Sequence, residues 1–131
     1  NDLTQYLLAV DRNNPRVASL YSAFHPAVIA ALQQVVTLAK AEGKPVSICG
    51  EMAGDPGAAV LLIAMGYDVL SMNASTLLKV KSVIRSVSMD VAKDLLEQVV
   101  ELDDAQTIRS AVDMALYNAG VDRLLRSSRT H

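Results

Sequence analysis

From Val46 to Met72 the chain alternates a short apolar run, a capped helix and a second short apolar run, and that order restricts the fold more than any other feature. The runs Val46-Ser47-Ile48-Cys49 and Asp68-Val69-Leu70-Ser71-Met72 have the length and character of strands in a parallel sheet. Between them, Asp55 reads as an N-cap ahead of Pro56 at the first helical position. Ala58, Val60, Leu61, Leu62 and Met65 continue that helix to Gly66. Connections of a few residues between such elements call for parallel strands joined by right-handed crossovers. Ser75 or Thr76 can cap the next helix, which runs through Leu78, Val80 and Ile84.

Helices flank this βαβα unit. Upstream, Pro26 opens a helix whose Val28, Ile29, Leu32, Val35, Val36 and Ala39 keep helical spacing until Gly43. Downstream of Ser88, Val91, Leu95, Val99 and Leu102 form one amphipathic stripe. Ile108, Val112, Ala115, Leu116 and Ala119 form another, capped near Asp103 and stopped at Gly120. These two helices read as a hairpin that packs on the α/β part or on a second subunit. Residues 121–131, with three arginines and no apolar residue after Leu125, read as a flexible tail. Two strands leave open edges and uncovered faces, so the expectation is part of a larger α/β architecture, cut at Asn1.

Composition excludes several classes. No apolar run approaches the roughly 20 residues of a membrane span. A net charge of −2 without a basic cluster gives no reason to expect nucleic acid. The single cysteine excludes an internal disulfide and fits a reducing compartment, so a cytoplasmic protein is expected. With that cysteine and only His25 and His131, no zinc site is credible. His25, before Pro26, reads as a helix-start residue, and the five methionines as core filling.

Two places are candidates for chemistry. Cys49 ends the first apolar run before the glycine-punctuated segment Gly50-Glu51-Met52-Ala53-Gly54-Asp55. It is either a small buried hydrophobe or a reactive thiol at the mouth of a site. Asn1 and Asp2 would stand at the carboxyl end of a preceding strand, where α/β folds place ligands, with Arg12 three helical turns on. An amide, a carboxylate and a guanidinium suit a magnesium-bound phosphate. The alternative is that Asn1-Asp2 only cap a helix from Leu3 to Val10 and Arg12 is solvated. Asp55 reads more economically as a cap than as a metal ligand or the acid/base partner of Glu51.

The segments "NDLTQYLLAVDRNN", "HPAV", "GKPVSICGEMAGDP" and "LSMNASTLLKVK", in that order, resemble the phosphoenolpyruvate-utilising enzymes. The resemblance is to the C-terminal part of the (β/α)8 barrel of the phosphoenolpyruvate-protein phosphotransferases, the Enzyme I branch of the sugar phosphotransferase system. It is dense from Asn1 to Val87 and looser beyond. "YLLAVDR" and "GEMAGD" look like this branch rather than pyruvate phosphate dikinases or phosphoenolpyruvate synthases, and "YLLAVDRNNPRVASLY" is similar to its nitrogen-related paralogue.

The resemblance implies specific roles. Asn1 matches a residue that contacts the substrate phosphate, Asp2 one of two acidic Mg2+ ligands, and Arg12 a phosphate-binding arginine. Cys49 matches the acid that protonates the enolate carbon when phosphoryl leaves. The chemistry agrees, because an ordinary thiol, with a pKa of about 8.5, is a neutral proton donor at pH 7. All four are expected at one end of the sheet. A complete barrel needs about 250 residues, so residues 1–120 would supply its last two to three βα units and the terminal hairpin. The phosphorylated histidine, two further arginines and the second acidic ligand would lie elsewhere in a longer protein. That parent would pass phosphoryl from phosphoenolpyruvate through a histidine to a phosphocarrier protein and act as a homodimer, while this segment alone would be inactive. The rivals are a dikinase or synthase relative and a non-catalytic dimerisation module.

Overall fold

The computed structural model describes residues 2–11, 13–16 and 22–120, without the side chain of Asp2. Asn1, Arg12 and the tail 121–131 lie outside the described residues. The elements are α1 (Asp2–Leu8), α2 (Pro26–Ala41), β1 (Ser47–Ile48), a 3-10 turn (Met52–Gly54), α3 (Pro56–Met65), β2 (Val69–Leu70), α4 (Ala74–Ser86), α5 (Met89–Val100) and α6 (Ala105–Asn118). Helices therefore dominate, and among the described residues one parallel pair makes the sheet.

The centre of the molecule is α3. Its sequence, PGAAVLLIAM, is apolar all round and carries no charge, which is the pattern of a helix with neighbours on every side. Asp55 caps it as expected: the side chain accepts from the amides of Gly57 and Ala58 at 2.9 and 3.1 Å. Gly66 ends it. Ala58, Ala59, Val60, Leu61 and Leu62 are buried. One core cluster joins Ala58, Val60 and Leu61 of α3 to Ile29, Val83, Leu95, Leu96, Val99, Ile108 and Val112. A second, on the sheet side, holds Val28, Leu32, Val36, Leu62 and Tyr67. The terminal hairpin thus packs on the α/β part, with α5 and α6 both against α3.

The two strands run parallel, Ser47 opposite Val69 and Ile48 opposite Leu70, on either side of α3 in sequence. Amide bonds from Asp68 to Val46 O (2.9 Å) and from Ser71 to Ile48 O (2.8 Å) extend the pairing beyond the strand residues. Asp68 also locks the start of the sheet. One carboxylate oxygen accepts from the Val46 amide at 2.8 Å and the other from Lys40 Nζ at 3.0 Å, so the end of α2 and both strands share one anchor.

Several expectations are corrected. The cap of α4 is Asn73, not Ser75 or Thr76; the Thr76 hydroxyl instead donates to Asn73 O at 3.0 Å. Val80 and Val83 carry the buried face of α4, whereas Leu78 is 77% exposed. Val35 and Val91 also point outward, because α2 and α5 each bury a stripe rotated away from those positions: Val28, Ile29, Leu32 and Val36 on α2, and Ala92, Leu95, Leu96 and Val99 on α5. Met89 and Met114 are exposed rather than core-filling.

Candidate functional site

The site is built where the strands end. Ile48 and Leu70 are neighbours in the pair, so the residues that follow, Cys49-Gly50-Glu51 and Ser71-Met72-Asn73, emerge side by side. With Gly54 and Thr76 they line an open cleft of about 460 Å³. The chain turns sharply after Cys49 because Gly50 adopts φ 104°, a left-handed conformation that a side chain would strain. The 3-10 turn then returns the chain to Asp55 through amide bonds from Gly54 to Glu51 O and from Asp55 to Met52 O, both 3.1 Å. Among the described residues that line the cleft, Glu51 is the one that carries a charge.

Cys49 is exposed. It is therefore not the small buried hydrophobe of the first alternative. Cys49 also borders a second, more apolar cavity of about 210 Å³, lined by Leu3 and Thr4 of α1, Val28, Leu32 and Val35 of α2, and Met52 and Tyr67. In that wall the Tyr67 hydroxyl donates to Leu32 O at 2.9 Å, and burial pushes its pKa up. The first turn of α1 and the end of β1 therefore face one cavity, with Cys49 on the boundary between the two hollows. Asp2 opens α1 next to Leu3, but its side chain, like all of Asn1 and Arg12, is outside the described residues.

The remaining candidates sort into structural roles. Asp55 is a cap and an ion-pair partner rather than a metal ligand: its second oxygen accepts from Arg109 NH1 of α6 at 2.8 Å. His25 caps α2 by accepting from the Ala27 amide through Nδ1 at 3.0 Å. Among the described residues no three His, Cys, Asp or Glu gather as a metal cluster, and no helix is long and apolar enough to cross a membrane. Sequence reading missed Ser71, Asn73 and Thr76 as cleft residues, although "LSMNAST" already signals a strand end running into a helix. It also missed Arg109, whose partner lies 54 positions away.

A β1–α3–β2 unit with its cleft at the carboxyl ends of parallel strands is the arrangement of an α/β ligand-binding domain. A family model described as the PEP-binding domain of PEP-utilising enzymes matches residues 1–89, and the chain belongs to that family. Among named relatives, it is 42% identical over 126 residues to a Salmonella typhimurium protein called phosphoenolpyruvate-dependent phosphotransferase system, covering 96% of this chain and 17% of that protein. It is 44% identical over 110 residues to multiphosphoryl transfer protein 1 of Escherichia coli, covering 84% of this chain and 13% of the relative. Against the phosphoenolpyruvate-protein phosphotransferase of Haemophilus influenzae the identity is 42% over 113 residues, 86% of this chain and 20% of the relative. The chain spans a fifth or less of the length of these relatives.

Proposed function

We propose that the chain is the part of a phosphoenolpyruvate-protein phosphotransferase that holds phosphoenolpyruvate and delivers the proton that completes pyruvate. The observation that carries this reading is the placement of Cys49: exposed, at the end of a parallel strand, between the strand-end cleft and the cavity that α1 helps to line. The named relatives support the phosphotransferase branch over a dikinase or synthase. The two βα units support a place in the last part of a (β/α)8 barrel, with residues 1–120 as one partial domain and 121–131 as a flexible tail.

In this reading Asn1 and Arg12 bind the substrate phosphate and Asp2 is the chain's ligand to Mg2+. One carboxylate completed by phosphate oxygens and water is a donor set that Mg2+ accepts. When bound, the ion neutralises phosphate charge. The P–O bond of phosphoenolpyruvate breaks, phosphoryl passes to a histidine nitrogen elsewhere in the longer protein, and C3 of the enolate takes the thiol proton of Cys49. Water then reprotonates the thiolate, and the phosphohistidine supplies a phosphocarrier protein. The same reading makes the longer protein a cytoplasmic homodimer serving sugar uptake or nitrogen signalling. The single free thiol of this chain is in keeping with a reducing compartment.

The test is Cys49→Ala in the full-length protein. Pyruvate formation should fall by about 10²–10⁴-fold while phosphoenolpyruvate binding, measured by calorimetry, stays near wild type. Wild-type turnover would refute the assignment.

A further inference from the structure

The Cys49 loop is held from a distance. Its far end, Asp55, uses one oxygen to cap α3 and the other to accept from Arg109 of α6 at 2.8 Å. Arg109 is itself fixed on two more sides. Its Nε lies 3.3 Å from Asp113 Oδ1, one turn along α6, and its guanidinium carbon sits 4.9 Å over the Phe24 ring. Burial works against the guanidinium charge, but the hydrogen bond and charge of Asp55, with Asp113, outweigh it and raise the Arg109 pKa. Between Cys49 and Asp55 the loop is also held by the two turn bonds that end on Glu51 and Met52, by Ala53, which is fully buried, and by Met52, which packs against both core clusters.

We propose that Arg109 is a positioning residue for the Cys49 loop, acting through Asp55. The Asp55 cap alone fixes only the start of α3. The Arg109 fork adds a second direction of restraint and ties the loop to α6, a helix beyond the residues 1–89 that the family model matches. A planar guanidinium carrying a charge-assisted bond, an i,i+4 partner and an aromatic face has one preferred orientation, and it passes that orientation to the carboxylate. A displacement of about 1 Å at a reacting group can cost on the order of 10²-fold in rate. α6 thereby becomes part of the site's support without touching the cleft.

The consequence for turnover rests on Cys49 as proton donor; the consequence for the loop does not, and two readouts separate them. In the full-length protein, Arg109→Met and Asp55→Asn are compared by amide hydrogen exchange, Asn being as good a cap as Asp. Exchange at the Gly54 and Asp55 amides should accelerate about 5–30-fold in each variant, with the buried amides of α3 and α5 unchanged. The double variant should go no further than either single one, as expected for two residues acting through one contact. The second readout is steady-state kinetics: kcat should fall by about 10–100-fold with KM for phosphoenolpyruvate nearly constant. Wild-type exchange at Gly54 and Asp55 in Arg109→Met would overturn the proposal, as would protection lost evenly across α3, α5 and the loop. Failure of the proton-donor reading shows separately, as wild-type turnover in Cys49→Ala with the exchange result intact.

Discussion

Gly57 and Val112 stand so close that a Cβ on the glycine would lie 2.5 Å from Val112 Cγ1. Val112 is fully buried, so α6 approaches the first turn of α3 as nearly as the backbone permits. Gly57→Ala should therefore destabilise the protein by about 1–3 kcal/mol through overpacking. This outweighs the roughly 1 kcal/mol by which alanine is the better helix former. Urea denaturation measures the loss. Adding Val112→Ala should relieve the clash, so that the double variant is less damaged than the two single losses together imply. A Gly57→Ala protein as stable as wild type would mean that α6 is not seated on α3.

The sheet anchor should titrate. The Val46 amide, and then the Lys40 ammonium, hold the Asp68 carboxyl below its ordinary value of 3.8. The folded state then binds that proton less readily than the unfolded chain, so the contact stabilises above the unfolded pKa. The contribution is lost as pH falls through the lowered folded value. Asp68→Asn should lower the urea midpoint at about pH 7, and that gap should shrink as pH falls below the ordinary carboxylate range and the wild-type carboxyl takes up its proton. Because Lys40 and Asp68 are solvent-exposed, added salt should narrow the neutral-pH gap. A gap that persists unchanged at low pH would show that Asp68 acts through packing.

Cys49 should behave as a surface thiol. The chain has one cysteine, and it is exposed beside an open cleft. Ellman's reagent should titrate that thiol fully in native buffer, without denaturant. A thiol that reacts only after unfolding would return Cys49 to the core and remove the basis of its proposed role.

What could be read from the sequence was local. Asp55-Pro56 and Gly66 bound α3 because capping and chain reversal depend on a few adjacent residues. The stripes of Ile108, Val112 and Leu116 and of Leu95 and Val99 followed from helical period. Burial at the margins of a stripe was not legible: Leu78 and Val91 keep the right spacing, yet the neighbouring helix meets α4 and α5 elsewhere. Nor could spacing say whether Cys49 faces core or solvent, because that depends on how the strand end sits against α1, α2 and α4. The Arg109–Asp55 pair is purely tertiary and leaves no local signature.

Taken by itself, the chain should associate with further copies. Of the apolar strand residues Val46, Ile48, Val69 and Leu70, only Val69 is more than half exposed, the others being half-buried. More apolar surface lies on the helices. Val91 of α5 and Met114 of α6 flank a groove of about 420 Å³, and Tyr117 is exposed a turn along α6. Leu77 and Leu78 add a second patch on α4. Each strand also has one side without a partner among the described residues, and such edges pair readily with another chain. Exposed apolar patches together with open edges favour self-association, so the isolated chain should sediment as a dimer or larger species at micromolar concentration. Met114→Lys with Tyr117→Lys should shift it towards monomer if the α5–α6 face carries the contact. A single 14.0 kDa species that binds no hydrophobic dye would overturn the prediction, because it would show these faces stable in water as they stand.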